Sequence, residues 1–289
     1  MSIFSDLKLA AKLGRRQLRR ARQALRYGPK ALADTPIMFG NSFPKSGTHL
    51  LTQVLTGFSA LGPVVDSGLP AILTFDGPTG TPRPAAAIRR ELARLHPGDV
   101  AYGHLHATPE AVDALCRDGV APYFILRDPR DVVVSHVFYV AEKAPNHVHH
   151  DYYRHTLKDF DERLRVSMLG RPELDIPFPD IRERFAPYMP WLERPEVLLL
   201  RFEDFITQPR QTLDCVFDHA IQRGFTCNVA REQAIEVLLA RIQPQNSPTF
   251  RSGKVGGWKE HFSEAHKTLF KEVSGDLLVR LGYAENADW

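Results

Sequence analysis

The sequence predicts an α/β protein whose central parallel sheet is flanked on both faces by helices. Three observations point there. Short apolar runs alternate with stretches of helical periodicity, two of those runs end in charged turns that open helices, and 289 residues of 43% apolar content can bury one sizeable core. No internal linker is evident, so residues 34–289 are expected to form a single domain, preceded by a separate helix over 1–33.

Taken in order, residues 1–33 carry nine cations against Asp6, a local charge of +8 within an overall +3, so the remainder carries −5. Leu7, Ala11, Gly14, Leu18, Ala21 and Leu25 recur at helical spacing and make a narrow apolar stripe beside those cations. Strands are expected at 36–42, 100–104, 122–126 and 197–202. Helices are expected at 47–60, 85–96, 109–117, 129–143, 152–167, 180–193, 208–222, 230–241 and 263–281. Asp128, Pro129 and Asp131 suit the cap, first and third positions of the helix after the third strand. The Gly- and Pro-rich stretch 62–84 and residues 144–151 form loops on the rim of any site at the strand ends.

The turn Phe43-Pro44-Lys45-Ser46-Gly47-Thr48-His49 joins the first strand to its helix. It combines free backbone N–H groups at a helix start with the Lys45 cation, the Ser46 and Thr48 hydroxyls and a glycine that admits close approach, which is the chemistry of an anion site. It fails the nucleotide-kinase pattern Gly-x4-Gly-Lys-Ser/Thr, because Pro44 stands where the second glycine belongs. The third strand runs into Arg127, with Ser135 two turns into the following helix. Near the C-terminus, Arg251-Ser252-Gly253-Lys254-Val255-Gly256-Gly257-Trp258-Lys259 has the glycines and cations of a flexible lid over a phosphate. Between these segments, period two places His104 and His106 on one face of a short strand, within the pH range where a histidine accepts a proton from a hydroxyl.

These segments resemble, in order, the motifs of the sulfotransferases that use 3′-phosphoadenylyl sulfate (PAPS). The similarity covers residues 36 to about 262 and implies a P-loop-type three-layer fold. It implies that Lys45, Ser46, Gly47, Thr48 and His49 hold the 5′-phosphate and the bridging oxygen, and that Arg127, Ser135, Arg251, Ser252 and Gly253 hold the 3′-phosphate. The family's general base is a histidine followed by leucine, which fits His104-Leu105, with His106 as the alternative. The implied reaction is sulfuryl transfer to a hydroxyl or amine acceptor, catalysed by His104 and Lys45 without a metal.

The chain also departs from the family's cytosolic vertebrate members. Tyr102 and Gly103 stand where a lysine and a threonine precede the histidine, and Leu50 replaces the adenine-stacking tryptophan. Phe202 replaces the tyrosine of a Tyr-Glu-Asp strand end and is a candidate to stack on the base.

Two other classes remain as alternatives, a P-loop kinase-like phosphotransferase and a non-enzymatic membrane-surface adaptor. The first needs a Mg²⁺-holding acid, for which Asp128 and Glu203 lack a suitable context; the second needs loops without charges. Cys116, Cys215 and Cys227 form no metal-binding spacing and suit a reducing, cytoplasmic setting. The histidines between 136 and 155 lack a repeated ligand spacing. No membrane-spanning run or signal peptide is visible, so the basic helix is expected either to pack on its own domain or to meet an anionic membrane surface, and nucleic acid is not expected. The acceptor, a hydroxylated small molecule, sugar or lipid, has no motif.

Overall fold

The computed structural model describes residues 3–77, 79–246 and 253–289. Six strands, β1 Ile37–Ser42, β2 Val65–Asp66, β3 Ile72–Leu73, β4 Asp99–His104, β5 Val120–Leu126 and β6 Leu198–Arg201, form one parallel sheet. The order is β2-β4-β1-β5-β6, with β3 continuing β2's edge along the far end of β4. Between β4 and β5 the chain crosses over β1, so the order reverses around β1 and opens a crevice at its carboxyl end.

Helices α1 Ile3–Tyr27, α2 Pro29–Asp34, α3 Thr48–Gly57, α4 Ala85–Leu92 and α5 Pro109–Leu115 precede or connect the first five strands, and α6 Pro129–Phe138 follows β5. After α6 come α7 Phe160–Leu169, α8 Ile181–Phe185, α9 Phe202–Thr207, α10 Pro209–Gln222, α11 Arg231–Leu239, α12 Glu264–Ser274 and α13 Leu277–Arg280. Alternation along the strands divides the core between the two faces. Met38 and Tyr123 pack with Leu51, Phe58 and Phe217 on one side, while their neighbours Phe39 and Phe124 pack with Tyr188, Trp191 and Phe270 on the other.

Several expected helices are subdivided. The one over 129–143 relaxes into a π-helical turn at Tyr139–Lys143, and the one over 152–167 becomes a π-helical turn at Tyr152–Thr156 followed by α7, which Asp159 caps by accepting from Glu162 N at 2.9 Å. Gly275, at φ 55°, divides 263–281 into α12 and α13. The loop 62–84 contributes the short strands β2 and β3, and residue 202 belongs to α9 rather than to the strand before it.

Helix α1 lies against the domain through its ionic face. Arg16, 2% exposed, pairs with Asp99, which is fully buried at the start of β4, and Arg20 joins the same carboxylate at 3.0 Å. Arg19 pairs with Asp66 of β2 at 2.9 Å. The apolar stripe is therefore not the docking face. Leu18 and Leu25 of that stripe point outward, 64% and 89% exposed.

Candidate active site

The turn after β1 builds its anion-binding geometry from the backbone. Lys45 takes the left-handed conformation at φ 71°, and Gly47 follows at φ 101° as the N-cap of α3. A side chain at 47 would be strained by that φ, and its Cβ would come within 2.8 Å of the Phe202 ring. The Lys45 Nζ rests 3.8 Å from the Tyr139 ring centroid. Burial, with Arg127 adding like-charge repulsion, lowers its pKa from 10.5 to about 8.

Lys45, Gly47, Thr48, His49, His104, Arg127, Ser135, Phe202 and Gly253 line one cavity of about 580 Å³ at the carboxyl ends of the strands. Ser46 lies beneath the turn, fully buried, and its Oγ has no hydrogen-bond partner. Arg251 and Ser252 fall outside the described residues. Nine of the twelve residues named from sequence thus line one cavity, with cations from the turn after β1 and from the end of β5 available to an anionic ligand. The orphaned Ser46 Oγ and the orphaned Arg127 Nε fit such a ligand, because a buried donor without an acceptor is costly.

His104, at the last position of β4, is anchored by β1. Its Nδ1 lies 2.9 Å from the Ser42 carbonyl oxygen and 3.0 Å from Ser42 Oγ. A carbonyl only accepts, so Nδ1 carries the proton and Nε2 keeps its lone pair. Burial lowers the His104 pKa below 6.5, against the Ser42 hydrogen bond that raises it, and His49 and Lys45 lower it further, so the ring is a neutral base at pH 7. Ser42 Oγ also meets Thr48 Oγ1 at 2.8 Å, which links the histidine to the turn after β1. Asn41 fixes the next residue by donating to Leu105 O and accepting from Leu105 N.

His106 lies beyond the end of β4. It is wedged edge-on between Phe75 and Tyr188, and burial lowers its pKa to about 4. It is not part of the cavity wall.

On the opposite wall, Arg127 stacks 4.4 Å over Phe202, so one face of that ring is occupied by a guanidinium. Its Nη2 donates to Lys254 O at 2.8 Å and lies 3.5 Å from Asp131. Asp131, expected as a helix-start acid, also accepts from Gly256 N and Trp258 N at 2.9 and 2.8 Å and so fastens the C-terminal glycine segment to α6. Behind it, Arg130 is held by Asp128 and sandwiched between Trp258 and Trp289 at 4.3 and 4.5 Å.

Glu203 accepts from Asp128 N and from the Tyr283 hydroxyl, which is a structural use of that acid. Of the histidines between 136 and 155, His136 stacks on Phe178 within α6, His149 and His150 meet backbone carbonyls, and His147 lines the cavity. Among the described residues no three His, Cys, Asp or Glu side chains converge as a metal-binding group.

Sequence reasoning missed Ser42, Asn41, Asp131 as the tie to the glycine segment, and Tyr139. Only Ser42 left a usable signal, a hydroxyl at the last position of the strand feeding the phosphate turn.

Among curated proteins, no sequence matches the chain significantly. Solved structures share its fold. Retinol dehydratase in complex with androsterone and inactive cofactor PAP superposes at a TM-score of 0.57 with 16% identity, over 86% of this chain and 83% of that one. Mouse sulfotransferase SULT7A1 complexed with PAP gives 0.55 with 18% identity, over 93% and 94%. Retinol dehydratase in a complex with retinol and PAP gives 0.56 with 18% identity, over 86% and 84%. The profile of the sulfotransferase domain matches residues 123–282, more than half of the chain, from β5 through the Arg127 corner to the end of α13. The chain belongs to the sulfotransferase domain family.

Proposed function

We propose that the protein transfers a sulfuryl group from PAPS to a hydroxyl or amine of a small acceptor, with residues 34–289 as the catalytic unit. The observation that carries this reading is the single cavity in which Lys45, Thr48, Arg127 and Ser135 stand together with a histidine whose Nε2 is free to accept a proton. The PAP bound in the solved structures of similar fold supports the same donor.

The acceptor O–H gives its proton to His104 Nε2 as its oxygen forms a bond to sulfur. The bond from sulfur to the 5′-phosphate oxygen breaks, its electron pair stays on that phosphate, and PAP leaves. Lys45 and the amides of the turn after β1 meet the charge that grows on the leaving oxygen. The Ser42 carbonyl favours the imidazolium that forms, because it accepts from Nδ1–H in both protonation states. Arg127, Ser135 and the segment around Gly253 hold the 3′-phosphate, so positioning supplies much of the rate.

The acceptor end of the cavity is walled by Leu73, Phe75, Tyr102, Tyr139 and Tyr188. Rings around a short polar face suit an apolar, ring-bearing alcohol or phenol better than a free sugar.

A thermal-shift comparison of PAP with ATP plus Mg²⁺ tests the donor, and His104→Ala tests the chemistry. PAP alone should stabilise the wild-type protein, and His104→Ala should keep PAP affinity while turnover falls roughly 10²–10⁴-fold. Stabilisation by ATP alone, or full turnover in a folded His104→Ala protein, rejects the reading.

A further inference from the structure

We propose that the outward face of α1 is a docking surface for an anionic lipid bilayer. Docking on the domain uses Leu9, Leu13, Arg16, Arg20 and Gln23, which recur on one side of the helix. The opposite side carries Leu18 and Leu25, two turns apart and the most exposed large apolar residues among the described ones. Exposed Ala11, Gly14 and Ala21 extend the same ridge at i, i+3 and i+4 spacing. Along one flank run Arg15, Arg22 and Arg26, all exposed, with Lys12 beyond. Arg15, Arg22 and Lys12 make no ion pair among the described residues.

An apolar ridge bordered by cations is the pattern of a helix lying in a membrane interface, leucines in the acyl boundary and arginines at the headgroups. No helix among the described residues is long and apolar enough to cross a bilayer, so this contact would lie in the interface plane. A second copy of the chain fits the ridge less well. The face offers no acid, and pairing two copies would set arginine rows against each other, without the opposite charges that flank a helix seam. The pairs of Arg16 and Arg20 with buried Asp99 need not break, because they lie on the far side of the helix, while Arg19, 40% exposed, keeps Asp66 beside the cationic flank.

The test is co-sedimentation of the full chain with vesicles of phosphatidylcholine alone or with 30% phosphatidylglycerol, at low and high salt. The wild type should bind only the anionic vesicles, and less at high salt. Arg15→Gln/Arg22→Gln/Arg26→Gln should lower partitioning roughly 100-fold, a factor of about five for each cation. Leu18→Asn/Leu25→Asn should lower it at least tenfold, since each leucine contributes through its buried apolar area. Both variants should retain the wild-type Tm and PAP response.

Equal binding to neutral and anionic vesicles, or no binding, overturns the proposal. A dimer in sedimentation velocity that Leu18→Asn/Leu25→Asn dissociates, without vesicle binding, assigns the face to self-association. Binding that the leucine variant leaves unchanged and duplex DNA competes away marks general polyanion affinity and also refutes it.

Discussion

Lys45 is held in a state that costs the unliganded protein stability. In the unfolded chain it titrates at 10.5, whereas in the fold burial and then Arg127 bring it to about 8. That depression corresponds to about 3 kcal/mol of unfavourable energy for the ammonium at pH 7, part of which the Tyr139 ring offsets. Lys45→Met keeps the stem and removes the charge. The variant should therefore be more stable than the wild type at pH 7, by about 1–3 kcal/mol in chemical denaturation, while losing nearly all stabilisation by PAP.

The pH dependence gives an independent check. Between pH 8 and 10.5 the unfolded chain holds a Lys45 proton that the fold has released, so wild-type stability should gain from this group as pH rises through that window and be flat below 8. The variant should lack that rise. In the free enzyme, kcat/KM should climb through the lowered His104 pKa, below 6.5, and fall above about 8 as Lys45 deprotonates. A Lys45→Met protein that is less stable than wild type, with an unchanged stability profile between pH 8 and 10.5, would refute the reasoning.

Other expectations follow from single contacts. Ser42→Ala keeps the carbonyl that fixes the His104 tautomer, so turnover should fall less than about tenfold, whereas His104→Gln should lose roughly 10²–10⁴; equal losses would show that the hydroxyl, not the carbonyl, governs the base. Asp131→Asn weakens the tie to Gly256, Trp258 and Arg127, and should weaken PAP binding by about 1–3 kcal/mol in titration calorimetry with faster amide exchange at 256–258. Arg16→Met leaves the buried Asp99 carboxylate with Arg20 as its remaining cation and should cost about 3–5 kcal/mol in denaturant melts; Arg16→Met/Asp99→Asn should recover most of that.

The central strands were legible because each combines an apolar run with a polar turn. Met38-Phe39 and Tyr123-Phe124 pack on both faces of the sheet, and such doubly buried runs stand out from the amphipathic helices around them. The edges were less legible. β2 and β3 are two residues each inside a Gly/Pro-rich stretch, and β4 alone supplies their pairing, a tertiary contact with no local pattern. The outward stripe of α1 has a related cause. Helical spacing reveals which residues share a face, but the choice of docked face was made by Asp99 and Asp66, which lie 83 and 47 residues beyond their partners Arg16 and Arg19.

The same distinction runs through the candidate site. The residues expected to meet a phosphate sit in short contiguous segments, because a helix start needs its cation, hydroxyls and glycine within a few positions. Residues that hold those groups in place come from elsewhere in the chain. Asp131 reaches 125 residues forward to Gly256, and Ser42 reaches 62 to His104. Asp131 read locally as a good third residue of α6, and nothing nearby marked its second task. Through that task the Arg127 corner and the glycine segment share one carboxylate. Ser42 makes the corresponding connection on the other side of the cavity, between His104 and Thr48. Two side chains thus tie the two sides of the cavity together: Asp131 joins Arg127 to the glycine segment, and Ser42 joins His104 to the turn after β1.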